Sequence, residues 1–138
     1  MQSSLALVCD SANVTADGKL NVLGIFSVVY AHRFPATHSS LTLVLRFNNV
    51  LGTDGELELT GRFIDSDGEE TITPISVSVS LNKGHDEAVS IINVNNLEFP
   101  RPGDYCFEIY AGKEHLASIP IKARSRDGFT KDREMDKQ

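Results

Sequence analysis

Several groups of side chains in this sequence have types and spacing that could do chemistry. Asp65-Ser66-Asp67-Gly68-Glu69-Glu70 sets alternate carboxylates around a glycine, as the oxygen ligands of a calcium loop are set. A full loop needs further ligands at fixed spacing and a distant bidentate glutamate, and here the third aspartate is missing. An acidic hairpin turn accounts for each of these residues unaided. His32 and His38 flank a Phe-Pro-Ala-Thr stretch, and His85 and His115 complete the histidines. Zinc needs three or four converging ligands. No cysteine or carboxylate stands near His32 and His38 in sequence to complete such a set, so no metal ligand is assigned. A small-ligand or metal site near His32/His38 or Asp65/Asp67 remains as the alternative if the fold brings these groups together.

The other candidates point away from catalysis. Cys106 sits between Tyr105 and Phe107 with no cation beside it, which suits a structural thiol rather than a reactive thiolate. No serine lies in a G-x-S-x-G elbow, and no glycine-rich phosphate loop is present. We therefore expect no enzyme activity, no catalytic residue and no cofactor.

Charge narrows the partners. The chain carries a formal net charge of -6. Residues 122–138 hold six of the basic and four of the acidic residues, which leaves residues 1–121 at -8. Such a body repels nucleic-acid phosphates and anionic lipid, so neither nucleic acid nor membrane is expected as a partner. The N-terminus lacks a basic region before its short apolar stretch, and no run is long enough for a membrane helix. Two cysteines, Cys9 and Cys106, make no disulfide framework. A cytoplasmic protein with reduced thiols is expected.

The elements that must position these residues are strands. Period-two alternation marks segments over Ser4–Asp10, Leu41–Phe47, Glu56–Ile64, Ile75–Leu81 and Asp104–Ala111, a β-branched apolar run marks Ala88–Val94, and a hairpin turn at Gly112-Lys113 leads into His115–Ile121, with Gly, Asp and Asn turns between them. The longest apolar run, Leu20 to Ala31, is apolar on both sides and is expected to be covered on both. Gly24 in its middle marks a bend that carries the chain from one sheet or edge to another. His32 to Ser40 reads as a loop. Pro120 inside the last strand places that strand at an edge, because proline cannot donate to a ladder. No segment has a sustained helical period. The fold expected is all-β: an antiparallel β-sandwich of about eight strands, immunoglobulin-like. Residues 1–123 form the single domain, and 124–138, too polar to offset the entropy of ordering, form a disordered tail.

Tyr105, just after Pro102-Gly103, has the placing of a tyrosine corner, whose hydroxyl bonds upstream backbone. Val44, Ile64 and Tyr110 fall at outward positions and would make an apolar patch if they cluster. Phe34, between His32 and His38, is expected at the surface.

Two blocks carry a resemblance. CDSANVTADGKLNVLGIFSVVYAHRFPATHSSLTLVLRF, with its DGKLNVLG and FPATH motifs, resembles the opening half of a family of small uncharacterised bacterial proteins classed as a domain of unknown function. PGDYCFEIYAGKEHLASIPI resembles that family's closing hairpin. The resemblance spans residues 5–121 and implies a bacterial or phage origin and a compact β domain, with no catalytic residue. The function expected is a non-catalytic module that binds a protein partner or assembles with itself, using His32, Phe34, His38 and Tyr110.

Overall fold

The structure, a computed structural model, describes residues 2–48, 55–81 and 86–126. Within them the chain forms β1 (Gln2–Val14), β2 (Leu20–Ile25), β3 (Val28–Ala31), β4 (Ala36–Asn48), β5 (Gly55–Ile64), β6 (Ile75–Leu81), β7 (Ala88–Phe99), β8 (Gly103–Ala111) and β9 (Glu114–Ser125). A four-stranded sheet runs β2-β1-β4-β7, and a five-stranded sheet runs β3-β9-β8-β5-β6. His85, the turns over 52–54 and 82–85, and most of the expected tail lie outside the described residues.

The all-β reading stands, with two corrections. Nine strands form among the described residues rather than about eight, and β3 pairs with β9 in parallel while the other pairings are antiparallel. Both corrections come from the Leu20–Ala31 run. It divides at Phe26–Ser27, two residues past the expected bend at Gly24, which lies within β2. Phe26 N–H donates to Val8 O in the first sheet at 3.2 Å, and Ser27 O accepts from Lys122 N–H in the second at 2.8 Å. One short stretch thus edges both sheets.

Period-two alternation builds the core. On β6 the serines Ser76, Ser78 and Ser80 are exposed while Val79 and Leu81 are buried. Leu41, Leu43, Leu45 and Phe47 of β4 meet Leu59 and Phe63 of β5, Phe107 and Ile109 of β8, and Ile119 and Ile121 of β9 in one apolar cluster. Val44, expected outward, is fully buried as well. Its cross-strand neighbours on that face are Leu7 and Ile91, so an apolar row crosses the sheet there. Val44 therefore forms no patch with Ile64 and Tyr110, which lie on the other sheet.

Other boundaries move for physical reasons. β4 starts at Ala36, inside the expected loop, because Ala36, Thr37 and His38 pair with Phe99, Glu98 and Leu97. Asn96 takes a left-handed conformation (φ 56°), which shifts the alternation so that Val94 and Leu97 both face the core. β9 runs through Ser125, past the boundary expected at residue 123. It is also not an edge strand, since β3 and β8 flank it. Pro120 is tolerated because backbone N–H groups alternate sides. Its missing donor would point the way Lys122 N–H points, toward β3, and β3 pairing begins only at Lys122.

Tyr105 does form a corner. Its hydroxyl donates to Arg101 O at 2.6 Å and accepts from Arg101 N–H at 3.2 Å. The ring stacks on Phe63 and meets Phe99 edge-on. Tyr105→Phe keeps the rings and removes both bonds, so urea denaturation should show a loss of about 1–2 kcal/mol with an unchanged slope.

Candidate functional site

The bend between the sheets makes the chain's notable surface. Leu23 and Ile25 of β2 are 66% and 64% exposed, and Tyr30 of β3 is exposed too. This corrects the expectation that the run is covered on both sides: among the described residues β2 has β1 as its one strand neighbour and β3 has β9 as its one neighbour. Ile25 sits opposite Cys9 and Leu23 opposite Ser11, on the same outer face as Leu7, Val44 and Ile91.

Beside this edge lies a surface pocket of about 460 Å³. Ile25, Phe26, Val28, Val29 and Tyr30 give it apolar and aromatic walls, and Asp10, His38 and Arg126 bring polar groups. Each wall is placed by the strand division. Phe26 packs against the core and holds the His38 ring at 5.7 Å. Asp10 lies against Gly24, whose φ is +70°. A Cβ there would stand 2.9 Å from Asp10 Cγ, so the absent side chain is what lets the carboxylate lie over β2. Among the described residues no hydrogen bond or ion pair engages that carboxylate.

A polar cluster occupies the outer face of the other sheet. Glu108 Oε2 accepts from Ser118 Oγ at 2.6 Å and lies 2.5 Å from His115 Nε2, and Cys106 Sγ donates to Glu108 Oε1 at 3.2 Å. Burial works to raise the Glu108 carboxyl, but the bonds from Ser118, His115 and Cys106 outweigh it and hold the group below its ordinary range. Ser118 Oγ also stands 3.2 Å from His115 Nε2, the same ring nitrogen that meets Glu108. A nucleophile relay needs acid and hydroxyl on opposite ring nitrogens, so this arrangement cannot pass a proton from serine through histidine to glutamate.

Burial, then Glu108, push the Cys106 thiol up to about 12. A thiol raised in the folded state favours folding fully below its unfolded value, and that contribution fades as pH rises toward the folded value. Native protein should therefore alkylate negligibly at Cys106 at pH 8, with labelling appearing on denaturation. Peptide mass mapping after iodoacetamide checks this. Cys9 is buried and its thiol is raised too, by burial first and Asp10 second. Cys9 and Cys106 are free and lie on the outer faces of opposite sheets, so no bridge joins them.

The residues singled out in the sequence do not form one site. His38 lines the pocket at the bend. Tyr110 lies on the second sheet, edge-on to His115, and lines a separate depression with Thr60, Arg62, Gly112 and Lys113. Phe34 is half-buried against the core rather than presented at the surface, and His32 is exposed nearby. Asp65 and Asp67 form the expected turn. Asp65 Oδ1 accepts from the backbone N–H of Asp67 and Glu69, while Arg101 spans Asp65 Oδ2 at 3.3 Å and Asp67 Oδ2 at 3.2 Å. Both Asp65 oxygens and Asp67 Oδ2 are engaged, and among the described residues no three His, Cys, Asp or Glu side chains are placed to hold a metal. The residues that reading the sequence missed are Asp10, Glu108 and Ser118, while Gly24 reads there only as a bend. Of these only Glu108 carries a signal, since period-two alternation over Asp104–Ala111 puts it on the same face as Cys106 and Tyr110.

Residues 4–124 match the model of a family of unknown function, DUF6941. The chain belongs to this family. The match takes in Asp10, Gly24, Tyr30 and His38, while Arg126 lies beyond it. Comparison with curated proteins gives no match. Among solved structures, this DUF6941 chain is similar to a β-glucosidase from Listeria innocua in complex with gluconolactone, at 11% identity and a TM-score of 0.47. The likeness covers 88% of this chain and 16% of the glucosidase, and it carries nothing about activity. No helix among the described residues is long and apolar enough to cross a membrane.

Proposed function

We propose that this domain is a non-catalytic protein-binding module, an immunoglobulin-like sandwich that engages a protein partner or a second copy at the bend between β2 and β3. The observation that carries the reading is the exposure of Leu23 and Ile25, at 66% and 64%, on an edge strand that has no charged residue or proline to block pairing. The neighbouring pocket adds a concave feature with mixed apolar and polar walls, as recognition sites have. His38 belongs to this surface. We place the protein in a reducing bacterial cytoplasm, which suits its free thiols.

Ile25→Asp tests the reading. The side chain is exposed, so folding should be kept, while a desolvated interface centred there should lose about tenfold or more in affinity. The measurement pairs native mass with affinity capture from lysate for wild-type and variant. A dimer or captured partner lost in the variant supports the module. Identical behaviour of the two proteins overturns it.

A further inference from the structure

We infer that the pocket at the β2–β3 bend recognises a basic side chain, lysine or arginine, carried on an extended segment of a partner protein. The inference rests on the binding-module reading and names the chemistry of its partner. Four observations carry it.

The first is the Asp10 carboxylate. It lies against Gly24 on the pocket wall with no described group pairing it. A cation brought there would gain a charge-assisted hydrogen bond without displacing another. The second is the aromatic lining. Phe26, Tyr30 and His38 surround the same space. Aromatic faces beside a carboxylate suit a guanidinium or ammonium group, and Val28 and Val29 suit the aliphatic stem that carries it. The third is charge: residues 1–121 carry a net -8, so the body attracts a basic partner. The fourth is the edge of β2 next to the pocket, which no strand among the described residues covers, where an extended segment can pair its backbone while one side chain turns inward.

Arg126 on the β9 side makes the pocket two-signed. It orients the ligand, since the basic end is drawn toward Asp10 and away from Arg126, where backbone carbonyls of the partner can be met. The same asymmetry disfavours a second copy, which brings its own negative body to this edge.

The test titrates full-length 15N-labelled protein with a short blocked peptide holding arginine between valines, and with the same peptide holding citrulline, its neutral counterpart. The arginine peptide should shift the amides of residues 24–30. The citrulline peptide, and Asp10→Asn protein with the arginine peptide, should each bind about tenfold more weakly, as expected for loss of a charge-assisted bond. Asp10 is exposed, so the near-isosteric change should leave the fold intact, which the unchanged remainder of the spectrum would verify. Equal affinity of the two peptides overturns recognition of the cation, and no shift with either overturns the pocket as a peptide site. Peptide-free broadening of β2 amides that grows with protein concentration overturns it in favour of a second copy. Each of these results leaves the Ile25→Asp capture result standing, so the two ideas fail separately.

Discussion

Phe63→Ala is expected to remove about 3–5 kcal/mol of stability, the cost of emptying a large aromatic site in a packed core. Phe63 is fully buried and joins three rings: Phe107 at 4.5 Å, Tyr105 at 5.3 Å and Phe99 at 5.6 Å between centroids. Phe99 comes from the first sheet and the others from the second, so this ring cluster ties the sheets together. Domains of this kind hold about 5–15 kcal/mol in all. The variant should therefore be partly unfolded at physiological temperature or have a much lower urea midpoint. Ser78→Ala, on the exposed face of β6, is the control and should stay within about 0.5 kcal/mol. A Phe63→Ala loss below about 1 kcal/mol would mean that the two sheets do not close over this ring.

The part of this core that the sequence makes legible is the part with one face in water. Ile75 to Leu81 and Glu56 to Ile64 alternate because a strand covered on one side needs apolar groups at every second position. Their burial follows that alternation. Tyr105 is legible for a different reason, since a tyrosine set just after Pro102-Gly103 can reach its own upstream backbone. Where apolar residues fill both faces, the pattern stops discriminating. Val44 reads as outward and is buried, because Leu7 and Ile91 flank it from strands distant in sequence. Leu23 and Ile25 read as covered and are exposed, because β2 ends its sheet. Hydropathy is the same in the two cases. What separates them is strand order, which depends on long-range pairing. The candidate site is hidden for the same reason. His38, Asp10 and Tyr30 are scattered along the chain and meet where one strand changes sheets.

Gly24 is the residue on which that meeting depends, and Gly24→Ala should both destabilise the fold and disturb the pocket. Two costs are separable. The backbone sits at φ +70°, where an L side chain costs about 1–2 kcal/mol. The added Cβ would also meet the Asp10 carboxylate. Asp10 is an exposed side chain and can swing away, so the steric part should appear mainly as a displaced carboxylate rather than as lost stability. We expect a loss of about 1–2 kcal/mol in urea denaturation, nearly all of it from the backbone. The double variant Gly24→Ala/Asp10→Ala resolves the parts. If the backbone dominates, the two changes should add within about 0.5 kcal/mol, and a larger rescue would assign the cost to the collision. Gly61→Ala is the comparison. Its φ needs no glycine, and a Cβ there would rest 3.4 Å from Ile109 Cδ1, an ordinary contact. It should cost far less. Equal losses at the two positions would mean that the positive φ at Gly24 costs an L residue nothing extra.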